Sequence, residues 1–169
     1  MALALYILLI LAADLGSKYL VRSFLAGGPS VSLIGDFFTL TYVENRGAAF
    51  GILSNKSYGP FFLLAFSLVL TLALLYLLTK LRSAGLRLGL VLVIAGSLGN
   101  TIDRLLRGFV TDFLTFKFGS WYFPSFNLAD TSIVLGSLLM AALLLWHGEA
   151  QADLDRVLTG PAKGERGQS

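Results

Sequence analysis

Residues 127–146, NLADTSIVLGSLLMAALLLW, form an apolar stretch in which Asp130 is the single ionisable side chain. A helix rises 1.5 Å per residue, so a helix of this length is about 30 Å long and can cross the hydrocarbon core of a bilayer. Asn127 is a favoured N-cap residue, and an acid in the first turn is stabilised by the helix dipole. The stretch therefore predicts a membrane span over Leu128–Trp146 with a carboxylate at its entrance.

The rest of the chain is similarly apolar. Of its 169 residues, 56% are hydrophobic and 14% are charged, against roughly 25% charged in ordinary soluble domains. This composition predicts a single integral membrane domain over residues 1–150, followed by a flexible tail over residues 151–169. Three further spans are predicted at Ala2–Leu20, Gly59–Thr79 and Leu86–Ile102.

Charge and cysteine content exclude several functions. The 13 Lys and Arg residues are scattered singly along the chain, a pattern that does not favour nucleic acid as a partner. Because cysteine is absent, disulfides, thiolate nucleophiles and cysteine-ligated metals are excluded. The single histidine, His147, falls at the end of the fourth span and is better explained as an interfacial residue than as a metal ligand. We expect neither a metal nor a cofactor.

The loop between the second and third spans orients the chain. It carries Lys80, Arg82 and Arg87 without an acid, and loops rich in lysine and arginine stay in the cytoplasm. Both termini are then cytoplasmic, and the two longer loops face the outside of the membrane. In the first of these loops, residues 31–36 and 37–43 are rich in β-branched and aromatic side chains, which predicts a small sheet.

The second outer loop contains an aromatic belt over residues 116–124. Aromatic side chains settle at the headgroup level of a bilayer. We therefore expect them to wall a site at that depth, and the residues concerned are Phe116, Phe118, Trp121, Tyr122 and Phe123.

Two acids near the outer membrane face, Asp112 and Asp130, are the main indication of function. A carboxylate inside a bilayer costs roughly 2.5 to 3.5 kcal/mol on insertion scales, so such acids usually have a function. Two neighbouring carboxylates separate their pKa values, so that one can act as a base while the other acts as an acid. The alternative is that one or both only cap helices or anchor the chain at the interface.

Other polar residues fall at helical spacing within the spans. Asp14 and Lys18 lie four residues apart, which favours a structural ion pair, while Ser17 and Lys18 are adjacent and point in different directions, which disfavours a Ser/Lys catalytic pair. At the end of the third span, Asn100 and Arg104 share one helix face next to Asp103.

Five segments of the chain, taken together and in order, resemble the prolipoprotein signal peptidases, the type II signal peptidase family. The segments are Asp14-Leu15-Gly16-Ser17-Lys18, Asn45–Gly51, Gly99-Asn100-Thr101-Ile102-Asp103-Arg104, Val110-Thr111-Asp112-Phe113 and Phe126-Asn127-Leu128-Ala129-Asp130. Each segment alone is weakly specific, but their joint occurrence is highly specific.

The resemblance implies a membrane all-α fold, a bundle of four transmembrane helices with a small extracytoplasmic β-sheet (a cradle) and a short outer helix or loop. It implies an aspartic endopeptidase of the bacterial cytoplasmic membrane, active at the outer face. Its substrates would be prolipoproteins, cut just before a diacylglyceryl-modified cysteine, and its other contacts would be membrane lipids; we expect a monomer.

The resemblance also implies residue roles. It matches Asp112 and Asp130 to the catalytic pair. Substrate-positioning roles fall to Asn45, Asn100, Arg104 and Asn127, and supporting roles to Asp14, Lys18, Gly47, Asp103 and Ala129.

Two functions of other classes compete with this hypothesis. In a small proton-coupled carrier, intramembrane aspartates would form a relay across the bilayer. In a structural scaffold, the aromatic outer loops would bind other membrane proteins, and no pair of acids would be needed. Cleavage of a lipidated peptide by the purified protein separates these possibilities, because a product is expected from the protease alone.

The predicted orientation can be tested with reporter fusions. We expect alkaline phosphatase fused after Ser83 to be inactive, because the Lys80–Arg87 loop remains in the cytoplasm, where that reporter does not mature. A fusion after Lys117 serves as the matched outer position and should be active. Activity from the Ser83 fusion would reverse the orientation.

Overall fold

The computed structural model describes residues 2–47 and 58–159. Within these ranges the chain forms five helices and four strands. In chain order they are α1 Ala2–Leu25, β1 Val31–Ile34, β2 Phe38–Asn45, α2 Gly59–Lys80, α3 Ala84–Arg107, β3 Val110–Phe118, β4 Trp121–Tyr122, α4 Leu128–Trp146 and α5 Gly148–Thr159.

The four long helices form the predicted transmembrane bundle. Helices α1 to α4 are each long and apolar enough to cross a membrane, and α3 lies at the centre, packed against the other three. Leu90, Val91 and Ile94 of α3 are buried, whereas α1, α2 and α4 turn many large apolar side chains outward, as contact with lipid requires. Both α1 and α3 continue five residues past their predicted ends.

Glycines allow α3 and α4 to approach each other closely. A Cβ atom added at Gly136 would lie 2.5 Å from the carbonyl oxygen of Gly89, and one at Gly96 would collide with the carbonyl oxygen of Ala129. Small residues at such contacts allow two helix backbones to pack within a membrane. The α3–α4 contact is consequently the most extensive in the described fold, and it fixes the start of α4 against α3.

A four-stranded antiparallel sheet in the order β1-β2-β3-β4 covers one end of the bundle, called here the sheet end. The predicted strands of the first loop are confirmed as β1 and β2. The prediction for the second loop was incomplete, because residues 110–118 form strand β3 and pair with β2. Phe116 is part of the sheet and stacks on Phe38 with ring centroids 4.5 Å apart, so it does not join an outward-facing belt.

The opposite end of the bundle differs from the expected flexible tail. The boundary expected at residue 150 lies inside α5, and Ala150 packs into the core with Leu81 and Leu86. The Asp153 carboxylate accepts hydrogen bonds from the backbone N–H groups of Arg82 and Ser83, both at 2.7 Å. Burial alone would raise the pKa of Asp153, but these amides and Arg156 lower it. Residues 160–169 lie outside the described residues.

The contact of Gly99 with α1 gives a stability prediction. A Cβ atom at Gly99 would collide with the carboxylate of Asp14, whereas one at Gly16 would have nothing within 4 Å. We expect Gly99→Ala to lower the free energy of unfolding by about 1–3 kcal/mol through overpacking. Gly16→Ala, the matched control, should raise it by about 0.5–1 kcal/mol through helix propensity. Thermal unfolding in detergent measures both, and equal stability of the two variants would contradict the close α1–α3 contact.

Candidate active site

A cavity of about 1030 Å³ opens at the sheet end, between the sheet and helices α3 and α4. Its polar lining comes from strands β2 and β3 and from the adjoining ends of α3 and α4. Its apolar lining runs down one side of α4. The polar residues include Asn45, Arg46, Asn100, Arg104, Asp112 and Asp130, and the apolar residues include Phe123, Phe126, Ile133, Val134 and Leu135.

Secondary structure brings the two acids of the predicted pair to this cavity. Asp112 lies on β3 opposite Val43 of β2, so it is held by a paired strand. Asp130 is the third residue of α4, and it forms a capping box with Asn127, as the helix-start pattern predicts. A strand and a helix terminus, both fixed by backbone hydrogen bonds, therefore present the two carboxylates to the same cavity.

The Asn127 side chain connects these carboxylates. Its Nδ2 atom donates to Asp112 Oδ1 at 2.7 Å. Its Oδ1 atom accepts from the backbone N–H of Asp130 at 2.9 Å, while its own backbone N–H donates to Asp130 Oδ2 at 3.2 Å. Since Oδ1 faces a donor and Nδ2 faces acceptors, the network fixes the orientation of this amide. Asn127 is fully buried, so water does not compete for these hydrogen bonds.

A second asparagine supports each carboxylate from the other side. Asn45 Nδ2 donates to Asp112 Oδ2 at 2.9 Å, and Asn100 Nδ2 donates to Asp130 Oδ1 at 2.8 Å. Each of the four carboxylate oxygens therefore accepts one N–H group. Neutral amides hold the acids in place without cancelling their charge, in contrast to a salt bridge.

Asp112 has a raised pKa. Burial raises its pKa, and the negative charge of Asp130 raises it further, whereas the amides of Asn45 and Asn127 lower it; the result is a pKa of about 7. A carboxyl with this pKa holds its proton at a pH where an ordinary aspartate has lost it. It can thus donate a proton under neutral conditions.

Arg104 places a cation beside the carboxylates. Its guanidinium lines the cavity, and Nη2 lies 3.5 Å from the carbonyl oxygen of Gly47. The Gly47 N–H donates to Asn45 Oδ1 at 3.0 Å, which turns the Asn45 amide towards Asp112. The rest of the predicted Asn45–Gly51 loop, residues 48–51, lies outside the described residues.

Behind the cavity, Lys18 is fully buried and carries the predicted ion pair. Its Nζ atom lies 2.8 Å from Asp14 Oδ2 and donates to Asn100 Oδ1 at 2.9 Å. Asp14 Oδ1 accepts the backbone N–H of Ala129 at 2.9 Å. The supporting residues of α1 thereby hold Asn100, which contacts Asp130, and the first turn of α4.

Asp103 lies at the centre of a further cluster of charged and polar side chains, which the sequence predicted only in part. Its carboxylate lies 3.3 Å from Arg22 Nη1 and 3.1 Å from Arg107 Nη1, and it accepts the backbone N–H of Thr111 at 2.9 Å. Arg22 also donates to Thr111 Oγ1 at 2.9 Å. These contacts fix the residue next to Asp112. Arg22 lies four residues after Lys18, so helical spacing could have identified it.

The expected aromatic wall was largely wrong. Of its five residues, Phe123 lines the cavity, together with Phe126, which was not predicted. Phe118 and Trp121 face each other across the β3–β4 pairing and are 54% and 56% exposed. These two side chains are therefore largely exposed at the β4 edge of the sheet and do not line the cavity.

Comparisons with known proteins agree with one another. A family model described as signal peptidase (SPase) II matches residues 6–146. The chain is 45% identical over 143 residues to a lipoprotein signal peptidase of Moorella thermoacetica, covering 84% of this chain and 92% of that protein. It is 41% identical over 137 residues to a lipoprotein signal peptidase of Caldanaerobacter subterraneus, covering 80% and 90% respectively.

Solved structures show the same similarity. A bacterial membrane enzyme structure determined by the in meso method at 2.3 Å resolution aligns with a TM-score of 0.75 at 30% identity, covering 96% of this chain and 93% of that one. A second, at 1.9 Å resolution, aligns with a TM-score of 0.76 at 32% identity, covering 86% and 94%.

Proposed function

This chain belongs to the signal peptidase II family, and we propose that it is an aspartic endopeptidase that cuts prolipoproteins just before a diacylglyceryl-modified cysteine. The observation that carries the proposal is the pair Asp112 and Asp130, joined by the Asn127 amide on the wall of one cavity. A pair that served only as helix caps would not require two further asparagines to orient the carboxylate oxygens.

The geometry supports direct attack by water. We assign Asp130 as the base: it removes a proton from water, whose oxygen attacks the scissile carbonyl carbon. Asp112, as the protonated member, donates its proton to the leaving nitrogen when the C–N bond breaks. Each acid ends in the state in which the other began, and proton exchange with water restores the pair. Arg104 lines the same cavity, and its role in this proposal is to bind a substrate carbonyl.

The apolar side of the cavity suits a lipidated substrate. Val134 and Leu135 line it, and both are 55% exposed on the outer surface of α4. Acyl chains could therefore stay in the bilayer while the peptide bond reaches the carboxylates. Binding energy gained along the lipid then helps to orient the reacting bond.

The charge distribution supports the orientation in which the sheet end faces outward. Lys80, Arg82 and Arg87 lie at the α5 end, opposite the sheet, and positive loops favour the cytoplasm. The proposed active site then opens at the outer face of the cytoplasmic membrane. Asp14, Asp103, Asp112 and Asp130 gather at the sheet end, and α2 contains no acid. This clustering does not favour a proton relay across the bilayer.

Purified protein should cut a lipobox peptide that carries a diacylglyceryl cysteine, releasing a product that begins with that residue. The same peptide with a free cysteine should be cut far more slowly, because it lacks the lipid that holds it at the depth of the site. Mass spectrometry identifies the bond and gives both rates. Equal rates would contradict recognition through the lipid, and a different cleaved bond would contradict the proposed cleavage site.

The two acids should act as one unit. We expect Asp112→Asn and Asp130→Asn each to lower kcat by about 10³-fold or more, and the double variant to be hardly slower than either single variant. Asp155→Asn, at an exposed position on α5, is the matched control and should retain activity. Cleavage of the lipidated peptide in detergent gives these rates, with circular dichroism checking the fold. Near wild-type turnover in either single variant would show that this aspartate has a structural role and not a catalytic one.

The pKa of Asp112 predicts a loss of activity in mild alkali. Because burial and Asp130 raise this pKa to about 7, the donor proton is present below that pH and is lost above it. Activity should therefore fall as pH rises through about 7, and it should also fall in acid, because the mechanism requires one carboxylate of the pair to be ionised. The dependence of kcat/KM on pH measures both limbs. A rate that climbs steadily above pH 7 would argue for a lysine or serine nucleophile.

A further inference from the structure

A second cavity, of about 520 Å³, lies on the other face of the sheet. Asp112, Leu114 and Phe116 point to one face of β3, so Thr115 and Lys117 point to the opposite face, because side chains alternate along a strand. Thr115 and Lys117 line this second cavity together with Thr39 and Thr41 of β2. It is therefore separate from the cavity that holds the two acids.

The two cavities share one edge, called here the lip. Residues 123–125, Phe-Pro-Ser, line both of them. This segment follows β4 and is held to β3 by the hydrogen bond from Phe123 N–H to the carbonyl oxygen of Phe116 at 2.9 Å. One strand is about 5 Å wide, and two extended residues span about 7 Å. A peptide bound at the acids can thus cross the lip within a few residues.

Several of the side chains that line the second cavity carry hydroxyl groups, beside the apolar surface of Phe123 and Pro124. Thr41 Oγ1 donates to Ser30 Oγ at 2.9 Å, and Thr115 Oγ1 lies 2.7 Å from Ser125 Oγ. Each hydroxyl has one donor and two acceptor positions, so these pairs retain capacity for a ligand. One cation, Lys117, and one anion, Asp36, also line the cavity. Hydroxyl groups and opposite charges beside apolar surface suit a polypeptide, whose backbone carries both hydrogen-bond donors and acceptors.

We propose that this hydroxyl cavity is a downstream subsite, which binds the polar, extended polypeptide that follows the lipidated cysteine. The inference rests on the proposed function. The apolar signal peptide and the acyl chains can remain in the bilayer beside α4, but the polypeptide after the cysteine must leave towards water. A polar groove that begins at the lip of the active cavity provides that path, and a lipid headgroup would not require continuity with the acids.

The absence of cysteine from the chain allows a direct test by disulfide trapping. Thr41→Cys is introduced into the inactive Asp112→Asn background, so that the substrate stays uncut. Lipidated peptides carry one free cysteine at successive positions after the lipidated residue. We expect a cross-link that peaks about three to six residues downstream, the reach estimated from an extended chain. Leu33→Cys is the control, since it is 50% exposed on the same sheet and does not line the cavity.

A disulfide cross-link at Thr41→Cys but not at Leu33→Cys supports the subsite. Equal trapping at both positions, or no trapping at Thr41→Cys although fluorescence anisotropy shows that the peptide binds, would overturn it. Neither result depends on turnover. Failure of the proposed function is detected separately, as failure of the wild-type protein to cut the lipidated peptide.

Kinetics give a second readout. Two substrates are compared, one ending about two residues after the lipidated cysteine and one extending about ten residues beyond it. In the variant carrying both Thr39→Val and Thr41→Val, the ratio of kcat/KM for the long peptide to that for the short peptide should fall about fivefold or more, as expected for two lost hydrogen bonds. Thr79→Val, at the α5 end of α2, should keep the wild-type ratio. If the double variant lowers both rates equally, the cavity binds something other than the downstream chain, such as a lipid headgroup, and the proposal fails.

Discussion

The buried side-chain amide of Asn127 is the interaction on which the site depends. It caps α4 through Asp130 N–H, donates to Asp112 on β3 and lies 3.1 Å from Asn100 Oδ1 on α3. A buried amide that loses its partners costs on the order of 1–3 kcal/mol for each unsatisfied group. The sheet, the central helix and the start of α4 therefore cannot shift independently, and the separation of the two carboxylates is fixed by the fold.

A second constraint is the burial of several charges in a small volume behind the cavity. Lys18 and Asp103 have no exposed surface and Asp14 has almost none, and a buried charge is tolerated when it is paired and hydrogen-bonded. Pairing draws α1 against α3, and Gly99 is needed there because a side chain would collide with Asp14. The charged groups thus explain why helices α1, α3 and α4 converge at the sheet end. Helix α2 has no acid and contributes mainly apolar surface.

These constraints together favour hydrolysis within a mostly apolar protein. Amide donors hold both carboxylates without neutralising them, and burial together with the charge of Asp130 raises the pKa of Asp112 to about 7. The cavity is polar where it meets the sheet and apolar along α4, so it matches a substrate that is part lipid and part peptide. The second cavity, beyond Phe123–Ser125, lies further from the apolar lining of α4 and leads towards water. We therefore propose that the sheet contributes to substrate binding, since each of its two faces borders one of the two proposed parts of the substrate path.

The sequence alone determined what depends on local pattern. Apolar stretches of sufficient length predicted the four spans, helical spacing predicted the Asp14–Lys18 pair, and the Asn127–Asp130 pattern predicted the capped start of α4, because these features arise within one or two helical turns. Tertiary structure decided the rest. Strand β3 depends on pairing with the distant β2, and the exposure of Phe118 and Trp121 depends on their place at the edge of the sheet. The docking of α5 depends on backbone amides of Arg82 and Ser83, from which α3, β3, β4 and α4 separate it in the chain. Arg22 reaches Thr111, and Asn45 reaches Asp112, only when separate elements meet. Long-range contacts of this kind leave no periodic signal in the sequence, because their energy comes from burial and hydrogen bonding between segments that the chain itself keeps apart.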